Sequence, residues 1–315
     1  MPPAPFEVSD ELDAINVSSI PTVRRRVLVT GAAGFIGFHT AKALLARGDD
    51  VVITDELNDY YDVKLKQNNL DWISSTYGSR VTVYIGDICD QQLVRCVLKE
   101  TKAESIVHLA ARAGVRPSID NPLIMYIQAN VVAIMVLLDA CREFGVKKFV
   151  YASSSSVYGG SLKDRFSEED IVDFPVIYGP RGRPDMAPFK FMDRIARGVA
   201  IDQYGDGSSS RDYTFIDDIV QGVVLSLHHG RGCEVFNLGR GSPTLLTDFI
   251  SIIERLVGKK AKINIMPNQP GDVPRTSADI SKAEKLLGYK PTISLEQGLA
   301  KTWEWYSEFY NAMAM

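Results

Sequence analysis

The first half of the chain alternates two hydrophobic rhythms. Residues 26–30 (RVLVT) form a short β-branched run that stops at Gly31. From Ile36 to Ala46 the apolar positions take helical spacing and end before Gly48, a residue suited to the left-handed backbone that closes a helix. Further short strands are predicted at Val51–Thr54, Val81–Ile85, Ser105–Leu109 and Lys148–Ala152. Between the last two, Asn121-Pro122 opens a long helix that runs through Cys141, with Ile127, Val131, Ile134, Leu138 and Cys141 on one face. Strand and helix in alternation predict an α/β fold around a parallel, doubly wound sheet.

The rhythm then fails. A sixth parallel strand needs a crossover of at least about a dozen residues, usually a helix. From Tyr158 to Pro188 there are instead turn residues, charges and four prolines, at 175, 180, 184 and 188. One helix and one strand of the expected sheet are therefore missing. Beyond the break, 233–238 reads as a strand returning to the main sheet, and Thr247–Val257, Ser281–Leu287 and Leu295–Tyr310 read as helices. The expected organisation is a lead-in over 1–22, a nucleotide-type domain over 23–176, and a smaller α/β domain formed mainly by 177–315.

Composition narrows the classes. The 35 Lys+Arg against 39 Asp+Glu leave a net charge of −4, without the basic footprint of a nucleic-acid binder; the run Arg24-Arg25-Arg26 reads as a solvated strand start. The longest apolar run, Val131–Leu138, is closed by Asp139, so no membrane span is expected. Residues 1–22 are rich in Pro, Ser and acids, contain no apolar signal core, and read as disordered. Cys89, Cys96, Cys141 and Cys233 follow no disulfide or CxxC framework, which points to a reducing, cytoplasmic compartment. The four histidines form no ligand pattern, and no metal site is expected.

The candidate chemistry starts at GAAGFIG, Gly31 to Gly37, lying between the first strand and its helix. Glycines at Gly31, Gly34 and Gly37 allow a tight turn, close approach of backbone to a pyrophosphate and close helix packing, and Phe35 and Ile36 open a helix whose N-terminus faces the phosphates. This is the Rossmann arrangement. Asp55 ends the second strand, where a carboxylate accepts both ribose hydroxyls of NAD and repels a 2′-phosphate. Asp87, followed by Ile88, follows the third strand; it suits an adenine contact, with a helix cap as the competing reading.

With TGAAGFIG, Asp55, the GDI of Gly86–Ile88, HLAA at His108–Ala111, Asn130 and YASSSSVYG at Tyr151–Gly159, the chain resembles the extended short-chain dehydrogenase/reductases. NDYYD at Asn58–Asp62, YGPRGRPDM at Tyr178–Met186, RDYTFIDD at Arg211–Asp218 and PGDV at Pro270–Val273 make it similar to the UDP-glucuronate 4-epimerases among them. The resemblance covers about residue 24 to the C-terminus. It implies NAD as cofactor, lined by Leu109, Ala110 and Ala111 and supported by Asn130, and a UDP-sugar as substrate. It further implies that Ser154 bonds the reacting hydroxyl, Arg183 the sugar carboxylate, Arg211 the pyrophosphate and Asp272 a ribose hydroxyl. A polar strand end for Ser154, and surface ion pairs for the other three, are the competing readings. Such relatives dimerise through the 121–142 helix and the helix missing here, so half of a homodimer interface is absent.

The reaction that the resemblance implies needs a tyrosine and a lysine in YxxxK. A tyrosine ionises near pH 10, so acting as base near neutrality takes a shift of about 3 units, about 4 kcal/mol, which that lysine and the cofactor's charge provide. The pair belongs after Asp173–Val176, yet Val176 runs directly into Ile177-Tyr178-Gly179, which in such relatives follows the next strand. About thirty residues are missing at the place where the sheet rhythm breaks. The only literal YxxxK, Tyr60–Lys64, lies in the loop after the second strand and is read as coincidence. Three readings stand: an epimerase with Tyr158 or Tyr178 as substitute base, a non-catalytic NAD- and nucleotide-sugar-binding module, or the truncated product of an epimerase gene.

Overall fold

The computed structural model describes residues 24–114, 123–154, 168, 175–267 and 275–313. Two compact units emerge, one comprising the chain up to Ala152 together with Val223–His228, the other Ser153–Gly222 and His229 onward.

In the first unit β1 (Arg26–Thr30), β2 (Asp50–Asp55), β3 (Val81–Ile85), β4 (Ser105–His108) and β5 (Lys148–Tyr151) form one sheet in the order β3-β2-β1-β4-β5. Every pairing is parallel, and Val27, Leu28 and Val29 of the central strand are buried, as a sheet covered on both faces requires. Helices α1 (Phe35–Arg47), α2 (Val63–Tyr77), α3 (Gln91–Thr101) and α4 (Leu123–Phe144) connect the strands. Gly48 closes α1 with φ 106, as its position predicts.

Val94, Val97 and Leu98 of α3 pack with Ala133, Val136, Leu137 and Ala140 of α4 on Leu28, Val52 and Ile106 of the sheet. Burying each large apolar side chain contributes about 1.5–3 kcal/mol before ordering costs. Through its length and composition α4 is also apolar enough to cross a membrane, which the short run Val131–Leu138 did not suggest. Its inner face nonetheless serves the core, while Leu123, Ile127, Val131, Met135 and Leu138 lie 40–65% exposed along the other side.

The second unit holds two small sheets. In one, β6 (Pro175–Tyr178) pairs in parallel with β8 (Ser210–Phe215), which pairs antiparallel with β9 (Thr244–Leu245). In the other, β7 (Ile201–Tyr204) pairs in parallel with β10 (Ile263–Met266). Helices α5 (Ala187–Arg197), α6 (Ile216–His229), α7 (Leu246–Val257), α8 (Ser281–Leu287) and α9 (Leu295–Met313) accompany them, with Val223–His228 of α6 counted in the first unit.

The expected strand at 233–238 does not form, and the five-stranded sheet ends at β5 among the described residues. The segment is held by side chains instead of a ladder. Asn237 N donates to Glu168 Oε1 at 2.7 Å, its Nδ2 donates to Asp279 O, and Leu238 fills the space beside Gly222. A β-branched and aromatic run makes a strand only where a neighbouring strand offers its edge.

Candidate functional site

The turn after β1 is built by backbone crowding. Gly31 has φ 71, donates to Thr54 O at 2.8 Å, and faces Ala110 so closely that a Cβ would stand 2.6 Å from Ala110 N. Only glycine meets both demands. A Cβ on Gly37 would overlap Gly31 O, so the third glycine is fixed by helix–turn packing. Gly34 then caps α1, with Phe35 buried and Ile36 half-buried in its first turn. The helix N-terminus here presents amide donors and the positive end of its dipole, which suit a pyrophosphate.

Asp55 sits at the end of β2, 8% exposed. Its Oδ2 accepts from Ala33 N at 3.0 Å and its Oδ1 from Leu57 N at 2.9 Å. Burial pushes this carboxyl above the ordinary range, and the two amide bonds pull the other way. The peptide of Ala33 is gripped from both sides, because Asn69 Nδ2 donates to Ala33 O at 2.9 Å.

Thr30 is the hub of the opposite wall. Its Oγ1 accepts from Leu109 N and Ala110 N, both at 3.2 Å, and lies 2.7 Å from His108 Nδ1. Burial holds the imidazole down to about 4, so it is neutral near pH 7 and Nδ1 is free to accept the Thr30 proton. Ala111 follows, exposed. Asn130 clips the next residue: its Oδ1 accepts from Arg112 N at 2.8 Å and its Nδ2 donates to Arg112 O at 2.9 Å. It does so from a π-helical turn in α4, Gln128–Val132, the kind of bulge that re-aims side chains at functional sites.

Asp87 is exposed, and its Oδ1 accepts from Cys89 N at 2.8 Å. The helix-capping role belongs to Asp90, which accepts from Gln92 N and Leu93 N, so Asp87 shapes the turn ahead of it. Ile88 is buried beneath. These groups converge on the carboxyl ends of β1, β2, β3 and β4, the edge where open α/β sheets take nucleotides. A cleft of about 470 Å³ in the first unit lies at the amino ends, lined by Arg25, Lys102, Lys147 and Lys148. There Lys148 Nζ caps the carbonyls of Leu227 and His228, so part of this charge serves a helix terminus.

In the second unit Ser154 is exposed just beyond β5. Arg183 follows β6, and its guanidinium meets Asp185 in a two-point pair, Nε to Oδ1 at 3.1 Å and Nη2 to Oδ2 at 2.6 Å. Arg211 stands at the start of β8 and donates from Nη1 to Ser210 O at 2.9 Å. The register Tyr178↔Phe215 puts Arg211 at one end of the β6–β8 pair and the chain leading to Arg183 at the other. Asp272 and Tyr158 lie outside the described residues.

Tyr178 is 2% exposed and donates to Leu295 O at 3.2 Å. Burial drives its phenol far above the ordinary value, so it cannot serve as a substitute base near neutrality. Thr30 and Asn69 join the site without having been singled out in the sequence; the place of Asn69 on the helix just after NDYYD was the available signal.

The family model described as GDP-mannose 4,6 dehydratase matches residues 28–180 and 177–302. A UDP-glucuronate 4-epimerase of Thermodesulfobacterium geofontis is 39% identical, over 89% of this chain and 96% of its own length. A UDP-glucuronate 4-epimerase of Arabidopsis thaliana is 40% identical, over 90% of this chain and 77% of its own. Among solved structures, the UDP-glucuronic acid 4-epimerase of Bacillus cereus, in complex with UDP-glucuronic acid and NAD, superposes with a TM-score of 0.82 at 32% identity, covering 90% of this chain and 100% of that one.

Proposed function

This chain belongs to the GDP-mannose 4,6 dehydratase family, and from that premise we propose a UDP-glucuronate 4-epimerase-like protein that binds NAD and a UDP-sugar but lacks the groups that move the proton. The observation that carries the cofactor half is the double grip on Ala33, which holds the glycine turn and the Asp55 carboxylate as one unit. Gly31, Gly34 and Gly37 would admit the pyrophosphate, Asp55 the adenosine ribose, and the backbone of Leu109–Ala111 the rest. When bound, NAD supplies the acceptor for the C4 hydride of the sugar.

The chain's own contribution to turnover is where the site falls short. Removing the C4 hydroxyl proton needs a base, and a positioned general base is worth roughly 10² to 10⁴-fold. Tyr178 is spent on Leu295, and a serine hydroxyl such as that of Ser154 is too weak a base without help. Two features of the comparisons support a lost segment. The family match falls into two pieces that meet at 177–180. The aligned stretch with the Thermodesulfobacterium protein is 314 residues long and contains 89% of this 315-residue chain, about 280, so about 34 positions have no counterpart here. This favours the truncated product of an epimerase gene over a slowly decayed binding module, which would keep the helix and substitute its Tyr and Lys.

The exposed face of α4 has a second copy of the chain as its partner in this reading, with half of the interface missing, and the four free cysteines fit a reducing, cytoplasmic compartment. The test of the cofactor half is calorimetric. NAD should bind more tightly than NADP, and Asp55→Ala should erase that preference. Equal affinities in the unaltered chain would remove Asp55 from its role. Interconversion of UDP-glucuronate and UDP-galacturonate at NAD saturation should be undetectable.

A further inference from the structure

Lys66 is a lysine only 4% exposed, on the first turn of α2, and nothing in the site described so far uses it. Its ammonium donates to Asn58 O at 2.6 Å and to Asn58 Oδ1 at 2.7 Å. It also lies 4.5 Å from the centre of the Tyr61 ring, a cation–π distance. Asn58 in turn closes the loop on itself, donating from Nδ2 to Glu56 Oε1 and accepting from Tyr60 N. The Tyr61 hydroxyl reaches the glycine turn, 3.7 Å from where a Cβ on Gly34 would stand. Burying a lysine head is costly unless its donors are satisfied, and here the two Asn58 oxygens satisfy two of them.

We propose that Lys66 is a positioning residue for the cofactor: it fastens loop 56–62 over the glycine turn and so keeps Asp55 aimed at the adenosine ribose. The inference rests on the NAD reading above and adds to it a cationic support behind the anionic ribose-binding group. Asp55 immediately precedes this loop, and Leu57, whose amide donates to Asp55 Oδ1, has φ 52, a left-handed conformation unfavourable for leucine. The bonds from Lys66 to Asn58, one residue on, are what over-determine that conformation. Asn69, three residues on along α2, grips Ala33 O, so the N-terminal half of one helix holds both the glycine turn and the loop after β2.

Charge completes the argument. The groups whose fields act on Lys66 are Asp55 at the end of β2, Glu56 and Asp59 in the loop, and Arg112 after β4. Three carboxylates crowd this mouth, and a dinucleotide brings further negative charge. The Lys66 ammonium offsets them. Burial lowers its pKa from the usual lysine value, with Arg112 also lowering it and the carboxylates opposing, so its charge is lost at a lower pH than that of an exposed lysine.

The test measures NAD and ADP-ribose affinity by calorimetry on the unaltered chain, Lys66→Met and Lys66→Arg, at about pH 7 and about pH 9.5, with thermal unfolding of each; the upper pH lies just under the ordinary lysine value of about 10.4. The expected result is about tenfold weaker binding of both ligands by Lys66→Met at the lower pH. The unaltered chain should lose affinity as pH rises, and Lys66→Arg, whose charge persists, should not. A purely structural lysine would not give that alkaline difference. Lys66→Met binding as well as the unaltered chain, or Lys66→Arg showing the same alkaline loss, overturns the proposal and leaves the cofactor reading intact. Failure of the unaltered chain to bind NAD at all overturns the cofactor reading itself.

Discussion

The hydroxyl of Tyr178 donates to the carbonyl oxygen of Leu295, 3.2 Å away and 117 residues along the chain, in the interior of the second unit. The phenol edges against Phe215, and Gly298 approaches it so closely that a Cβ there would meet the ring and its oxygen. A tyrosine placed this way is a packing element that ties β6 to the start of α9.

Tyr178→Phe should therefore act on stability and not on ligands. It leaves the Leu295 carbonyl short of one donor, a loss of about 0.5–1.5 kcal/mol, more if no water replaces it. Chemical denaturation should show that decrease, with NAD affinity unchanged. A loss of NAD or UDP-sugar binding with stability retained would return Tyr178 to the site.

His108 makes folding depend on pH. Its folded pKa of about 4 lies below the unfolded value of about 6.5, so between these values the unfolded chain binds the extra proton. The stabilisation is complete above about pH 6.5 and is lost as pH falls toward 4, by up to about 3 kcal/mol from this group. Unfolding free energies measured from pH 7 down to 4.5 should fall more steeply for the unaltered chain than for His108→Gln. Parallel slopes would mean that the imidazole charges freely in the folded state.

Turnover should appear when a YxxxK segment is supplied. Inserting a helix and strand that carry YxxxK between Val176 and Ile177 supplies the base, the lysine that lowers its pKa, and the crossover that a sixth strand requires. Product formation from UDP-glucuronate is the measurement, with both forms at equal NAD saturation. Comparable rates from the short and the repaired chain would show that a residue already present is the base.

Much of this protein is legible in its sequence because it is written locally. The period change from strand to helix, the stops at Gly31 and Gly48, the GxxGxxG spacing and the acid at the end of β2 each depend on neighbours within a few residues. So the five strands, their parallel sense and the nucleotide-type edge followed from sequence order alone. What only the tertiary structure decided depends on distant segments meeting. Residues 233–238 have strand composition, but a strand needs an edge to pair with, and Glu168 and Asp279 hold the segment instead. The burial of Tyr178 under α9, the grip of Asn69 on Ala33 and the fastening of Asn58 by Lys66 are contacts between elements whose approach no local period encodes. Residue type announces that a lysine or tyrosine has chemistry to offer; solvent exclusion and the partner brought across the fold decide whether it is spent on packing, on positioning or on a ligand.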